Sequence, residues 1–166
     1  KETATVHKTM EAAEEVISQA VSIVRKRFPD CLIHVSIPSE LLMVPMDAPL
    51  ISQVLINLLE NAIKNSEEGA LVLLTLKKKG RTARFEVSDH GRGIPKHLLS
   101  NLFEIYSQAE DRGADSSKGL GIGLSICKTI IQAHGGEIQG YNREEGGARF
   151  IFTLPLQEEQ EDHHES

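Results

Sequence analysis

Three groups of residues carry chemistry by type and spacing. Asn57 and Asn61 stand four apart in a stretch with helical apolar spacing, so they share a helix face. An amide oxygen suits a hard cation such as Mg2+, which prefers oxygen ligands and fills its shell with water and substrate phosphates. Lys64 falls on the same arc and can meet a phosphate as a point charge. The second group is Asp89-x-Gly91-x-Gly93, directly after an apolar strand pattern. A carboxylate at a strand end accepts from an exocyclic amine or a bridging water, and the glycines let the loop fold over a flat ring or towards phosphates. The third is Lys118-Gly119-Leu120-Gly121-Ile122-Gly123-Leu124-Ser125, ahead of the apolar periodic run Ile126 to Ala133. Glycine lets the main chain approach a ligand, and the N-terminus of the helix that follows offers unpaired N–H groups with partial positive charge, together a seat for phosphate. Each group alone has a plainer reading: a solvated helix face, an ordinary strand-to-helix turn, and a lid hinge.

The elements that must position these residues follow from periodicity. Val16, Ile17, Ala20, Val21 and Val24 mark a helix within Met10 to Phe28, ended by Pro29. Leu32 to Ile37 alternates as a strand, Leu42 to Val44 reads as a brief one, and Lys1 to Val6 suits an edge strand. Asp47 is a fitting N-cap and Pro49 a first-turn residue for a helix over about Pro49 to Ser66. On its wheel Ile51, Val54, Leu55, Leu58, Leu59 and Ala62 fill one arc; Asn57, Asn61, Lys64 and Asn65 cluster opposite, with Glu60 at the edge. Leu71 to Lys77 and Arg84 to Ser88 form a hairpin pattern. Pro95 opens a short helix through Phe103, and Ser107 to Ser117 reads as a loop. A helix follows the glycine series to His134, Gly135-Gly136 stops it, and Glu137 to Tyr141 and Ala148 to Leu154 form a last hairpin.

The totals bound the rest. A length of 166 residues fits one domain with a real core. Acidic residues outnumber basic ones, 24 to 18, against the basic face expected of a nucleic-acid binder. Cys31 and Cys127 have no metal-type spacing and read as reduced thiols, with a single disulfide as the alternative. No stretch approaches the roughly 20 apolar residues of a membrane span, so no direct membrane contact is expected. The start at Lys1 reads as a fragment trimmed to one domain over 1–156, with an acidic tail over 157–166 expected to be disordered.

In their order along the chain, the motifs resemble the ATP-binding catalytic domain of sensor histidine kinases, in the GHKL superfamily that also holds gyrase, Hsp90 and MutL. The family's N, G1, F and G2 boxes match Asn57-Leu-Leu-Glu-Asn61-Ala-Ile-Lys64, Asp89-His-Gly91-Arg-Gly93-Ile94, Leu102-Phe103-Glu104 and Gly119-Leu120-Gly121-Ile-Gly123-Leu124. The likeness runs from about Val16 to Leu156 and includes His134-Gly135-Gly136. It implies a Bergerat fold: a two-layer α/β sandwich with a mixed five-stranded sheet, three helices on one face and an ATP lid.

The resemblance also implies roles. Asn61 would hold the Mg2+ that bridges the ATP phosphates, with Asn57 and Lys64 contacting phosphate. Asp89 would bond the adenine amino group, and Gly91, Gly93 and Ile94 would shape the base pocket. Phe103 would anchor one end of a lid over Ser107 to Lys118. Gly119, Gly121 and Gly123, with Leu120 and Leu124, would turn backbone N–H groups to the phosphates and hinge that lid. Two positions depart from the family. Asn65 stands where many members have an adenine-stacking aromatic, leaving Tyr106 as a substitute; Ser107-Gln108 stands where many have an arginine, leaving Arg112 or Lys118.

The hydrolytic relatives place a glutamate four residues before the Mg2+ asparagine, and here that residue is Asn57, which is no general base. The implied function is therefore donation of the γ-phosphoryl of ATP to a histidine. None of the seven histidines has the His-Glu/Asp-x-x-Pro setting of the family's dimerisation helices. The acceptor is expected on a separate dimerisation domain, with a response regulator downstream and a cytoplasmic placement in a membrane-bound bacterial sensor. The rival readings are a gyrase-, Hsp90- or MutL-like ATPase and a degenerate nucleotide-binding module. The glycine series and Tyr141-Asn142-Arg143-Glu144-Glu145-Gly146-Gly147-Ala148 also resemble the potassium-responsive sensor kinases.

Overall fold

The computed structural model describes residues 5–104 and 115–157, the stretch 115–122 by its backbone. Among them a five-stranded mixed sheet carries the domain. Its strands are β2 (Leu32–Ser36), β4 (Leu71–Lys79), β5 (Thr82–Ser88), β6 (Glu137–Asn142) and β7 (Ala148–Pro155). Their order is β2-β4-β5-β7-β6, parallel only between β2 and β4. Alternation sets the faces. Val72, Leu74 and Leu76 of β4, Ala83, Phe85 and Val87 of β5, and Ala148, Phe150, Phe152 and Leu154 of β7 are all buried. Phe85 and Phe152 are cross-strand partners and stack with centroids 4.5 Å apart.

The helices α1 (Ala13–Arg27), α2 (Ala48–Lys64) and α4 (Asp115–Ala133) form the second layer, and α3 (Lys96–Leu99) is a single turn. The apolar stripe read for α2 is its buried face: Ile51, Val54, Leu55, Leu58, Leu59 and Ala62. Glu60 has a structural partner, since Arg27 of α1 reaches its carboxylate at 2.6 Å and ties the two helices. A two-stranded antiparallel sheet joins β1 (Thr9–Ala12) to β3 (Met43–Met46). Of the expected edge strand at Lys1 to Val6, residues 5–6 are not in a strand and residues 1–4 lie outside the described set; Thr9–Ala12, read as lying at the start of a helix, is the strand that pairs with Met43–Met46. The tail beyond 157 also lies outside it. Both cysteines are free, as read. Among the described residues no helix is long and apolar enough to cross a membrane.

The glycine series differs from expectation. Gly119, Gly121 and Gly123 lie inside α4, whose helix already begins at Asp115. Each glycine costs about 1 kcal/mol against alanine there. A helix nevertheless pairs every interior N–H and C=O, and Leu124, just beyond the glycines, is buried in the core. The phosphate seat is therefore not a glycine loop ahead of a helix. The expected loop over Ser107 to Ser117 shortens from its C-terminal side, and its residues 107–114 lie outside the described set, as do Tyr106 and Arg112.

His134 locks the base of this layer. It is 1% exposed. The Asp47 N–H donates to its Nε2 at 3.0 Å, so Nδ1 carries the proton and donates to the Ile130 carbonyl at 2.9 Å. One ring thus joins the last turn of α4 to the start of α2. Asp47 does occupy the N-cap, but its carboxylate makes no capping bond and instead accepts the His7 N–H at 3.0 Å. Burial pushes the His134 pKa below the usual 6.5, with the nearby Lys8 charge acting the same way and the Ile130 bond and Asp47 opposing. A depressed histidine pKa means the unfolded chain binds the extra proton. Stability from this ring is full above pH 6.5 and falls as pH drops below it. The melting temperature of the protein should decline from pH 7.5 to pH 5.5, and His134→Gln should flatten that slope in a calorimetric series. An equal slope in the variant would assign the acid sensitivity elsewhere.

Candidate functional site

Asn57 and Asn61 lie on the part of α2 not committed to the core, and both are half-buried. Asn57 faces α4: its Nδ2 lies 3.9 Å from the Cys127 sulfur, which in turn lies 3.9 Å from the Val54 carbonyl. Burial pushes the Cys127 thiol up to about 12, with the Asn57 contact pulling weakly the other way. This sulfur is a neutral packing group and no nucleophile. Gly123 lies across the same contact, where a Cβ would sit 3.6 Å from the Asn57 amide carbon. The third glycine of the series thus lies beside the first asparagine of the helix motif.

One turn on, the Asn61 Nδ2 position is buried and has no hydrogen-bond partner among the described residues. Oxygen and nitrogen of an amide exchange by a half-turn of χ2, so this position can present either an acceptor or a donor. A solvated helix face does not bury an unpartnered amide. No group of three or more His, Cys, Asp or Glu suited to a metal occurs among the described residues. The donor set therefore fits a cation that takes one amide oxygen and draws its other ligands from water and phosphate, as Mg2+ does. Lys64 ends α2 and is exposed.

Asp89 extends β5 by one residue. Its N–H donates to the Ala148 carbonyl at 3.0 Å, and its side chain is buried, 2% exposed. One carboxylate oxygen, Oδ1, accepts the Gly91 N–H at 2.8 Å and the Ala148 N–H at 3.1 Å. The other makes no hydrogen bond to a described residue. A buried carboxylate with one committed and one uncommitted oxygen is a fixed acceptor, not an ordinary turn residue.

The loop after Asp89 is tied to α2. Asn65, four residues beyond Asn61, accepts the Arg92 N–H on its carbonyl and the Arg92 guanidinium on its side chain, both at 3.2 Å. The motifs therefore meet on one helix: Gly123 against Asn57, the Asp89 loop against Asn65, and Asn61 with Lys64 between. Ile94 is buried beneath the loop, and Leu124 is a core residue of α4. Phe103 is half-buried and meets Phe150 edge-on at 6.4 Å. Leu120 and Lys118 lie in the first turns of α4. His90 is exposed beside Asp89, and His34 lies exposed on β2.

Sequence reasoning missed four participants: Asn65 as a tether, Cys127 beside Asn57, His134 as a helix lock, and the Asn142-Arg143 pair that grips the Asp89 loop. Three lay within stretches the sequence had marked: Asn65 on the polar arc of α2, His134 in His134-Gly135-Gly136, and Asn142-Arg143 in the hairpin that resembles a subgroup.

Comparison with known proteins gives the family of the chain. Residues 46–158 match the family described as histidine kinase-, DNA gyrase B-, and HSP90-like ATPase. The chain is 42% identical over 150 residues to the sensor protein KdpD of Clostridium acetobutylicum, covering 90% of this chain and 17% of that protein. Against the sensor histidine kinase WalK of Bacillus subtilis identity is 36% over 129 residues, covering 76% and 21%. KdpD of Escherichia coli is another relative, at 36% over 87% of this chain and 16% of its own length, in line with the subgroup likeness. The chain spans about a sixth of the length of both KdpD proteins. A nucleotide-free catalytic domain of histidine kinase ThkA superposes with a TM-score of 0.79 at 31% identity, covering 91% of this chain and 99% of that one. With motifs, sheet order and relatives in agreement, the chain belongs to the histidine kinase-, DNA gyrase B- and HSP90-like ATPase family, as a catalytic domain of the sensor histidine kinase kind.

Proposed function

We propose that the domain binds Mg2+·ATP between α2, the Asp89 loop and the start of α4, and donates the γ-phosphoryl to a histidine on a dimerisation domain. The observation that carries kinase over ATPase is Asn57. It occupies the position where hydrolytic relatives hold a glutamate, and its amide is engaged with Cys127 and Gly123. An amide cannot take a proton from water at neutral pH, so bound ATP awaits a delivered nucleophile.

The chain's own residues then have distinct tasks. The unbonded oxygen of Asp89 accepts from the adenine amino group, and Ile94 supplies the apolar floor. Asn61 holds Mg2+, which when bound neutralises phosphate charge. Lys64 and Asn57 contact phosphate oxygens, and Lys118 with the first turns of α4 approach the same phosphates. Phe103 anchors the near end of the lid. The transfer needs positioning and charge neutralisation more than covalent chemistry by the protein. The acceptor imidazole nitrogen forms the N–P bond as the γ-phosphoryl leaves ADP. ThkA has been solved in complex with a response regulator protein, and a regulator aspartate downstream of this domain is the corresponding expectation. The domain boundaries are placed at about 1–156, with the parent a bacterial membrane sensor and this domain on its cytoplasmic side.

The test adds a purified dimerisation domain of the parent in trans with γ-labelled ATP. Acid-labile phosphohistidine on that domain, without steady hydrolysis in its absence, is the expected result. Steady Mg2+-dependent hydrolysis lost on Asn57→Ala would make the domain an ATPase. No Mg2+-dependent binding of a fluorescent ATP analogue would make it a degenerate module.

A further inference from the structure

The loop that carries Asp89 is braced on two sides, by Asn65 at the end of α2 and by the β6–β7 hairpin. Two of the residues after the aspartate are glycines, and Gly93 sits at φ +82°, in left-handed space. Where α2 holds the loop's middle at Arg92, the β6–β7 hairpin holds its two ends. The Asn142 side chain bonds both backbone groups of Ile94: the Ile94 N–H donates to Oδ1 at 2.7 Å, and Nδ2 donates to the Ile94 carbonyl at 3.1 Å. This reproduces with a side chain the paired bonds of a strand bridge. A Cβ on Gly93 would lie 2.7 Å from that Oδ1, so the glycine makes room for the amide. The neighbouring Arg143, whose side chain is 8% exposed, donates through Nη1 to the Asp89 carbonyl at 2.8 Å. Gly147, at φ +90°, presses against the same carbonyl, where a Cβ would come within 2.0 Å.

We propose that Asn142 and Arg143 are positioning residues for base selectivity: they fix both ends of the loop, Ile94 and Asp89, so that the uncommitted Asp89 oxygen meets one exocyclic pattern. The proposal rests on the reading of Asp89 as the adenine acceptor. Among the described residues neither bonds to Asn57, Asn61 or Lys64, so their effect divides between base and triphosphate. A hydrogen-bonding site discriminates only as well as its acceptor is held, and a displacement of about 1 Å can cost about 100-fold.

The experiment measures Mg2+-dependent binding of ATP, GTP and ribose 5-triphosphate, which lacks a base, to the whole chain. The variants are Asn142→Ala, Asn142→Asp, Arg143→Met and Asp89→Asn. Asn142→Ala should weaken ATP about tenfold, narrow the ATP-over-GTP preference, and leave ribose triphosphate within about twofold. Asn142→Asp, which keeps the acceptor for the Ile94 N–H, should fall between. Arg143→Met keeps the buried stem and removes the donor to Asp89 together with the guanidinium's contacts to the Gly146 carbonyl and Glu145, both within its own turn, so it tests the idea even where Asn142→Ala unfolds the hairpin. Equal losses for ATP and ribose triphosphate would mark a merely structural role and overturn the proposal. Loss of preference in Asp89→Asn with full preference in the Asn142 and Arg143 variants would overturn the positioning role alone. A wild type without ATP preference, or full preference in Asp89→Asn, would instead remove the base-site reading beneath it.

Discussion

Replacing Asp89 with asparagine should cost the protein about 100-fold in ATP affinity while leaving it folded. The two effects separate because the carboxylate oxygens have different employment. Oδ1 accepts the Gly91 and Ala148 N–H groups, and an asparagine carbonyl can accept the same two. The loss there is one of charge assistance, about 1 kcal/mol. The other oxygen becomes an NH2 group facing the adenine amine, donor against donor. A buried site built to accept a hydrogen bond rejects a ligand it cannot pair far more strongly than a missing methylene would. Calorimetric titration and a thermal melt on the same sample read the two quantities. Asp89→Ala should behave differently, stranding two buried N–H donors and lowering stability by about 2–4 kcal/mol. If Asp89→Asn bound ATP as tightly as wild type, adenine would be read elsewhere.

Asn61→Ala should be the complementary case, with catalysis lost and stability held. The Asn61 Nδ2 position is buried without a partner among the described residues, so truncation removes a desolvated polar group that they do not use. Stability should change by no more than about 0.5 kcal/mol in either direction. Phosphoryl transfer to a supplied dimerisation domain should fall about 100-fold or more, the scale of losing one group aimed at developing charge. The diagnostic arm is metal dependence. In excess EDTA, wild type and Asn61→Ala should bind ATP alike, and Mg2+ should tighten binding only in wild type. A variant that still gains affinity from Mg2+ would place the cation on other residues.

The sheet and both large core helices were legible in the sequence because their signals are local. The β4, β5 and β7 alternations and the α2 stripe each declare their buried face within a dozen residues. The aspartate and the two asparagines were legible as an ordered set, though no single one was. The clamps on the site were not legible, because each joins residues far apart. Asn142 meets Ile94 across 48 positions and Cys127 meets Asn57 across 70, and no periodicity links such pairs. The helical start of α4 was hidden for a different reason. Glycine propensity opposes a helix at 119–123, and the preference that prevails comes from the internal pairing of the whole 19-residue element.

The His134 lock also has a consequence for the order of assembly. The β4–β5 turn closes across two residues, Gly80 and Arg81, whereas the His134 ring reaches Asp47 across 87 positions and the Lys8 ammonium reaches the His134 carbonyl across 126. Loop-closure entropy makes such contacts affordable only once intervening structure has shortened the effective loop. On these loop lengths the hairpins and the α2 layer are expected first and residues 7–8 last, onto a finished α2–α4 joint, an order that pulse-labelled hydrogen exchange during refolding would check. Unfastening them releases the His7 bond to Asp47 and the Lys8 bond to His134, both at the joint that the His134 ring closes.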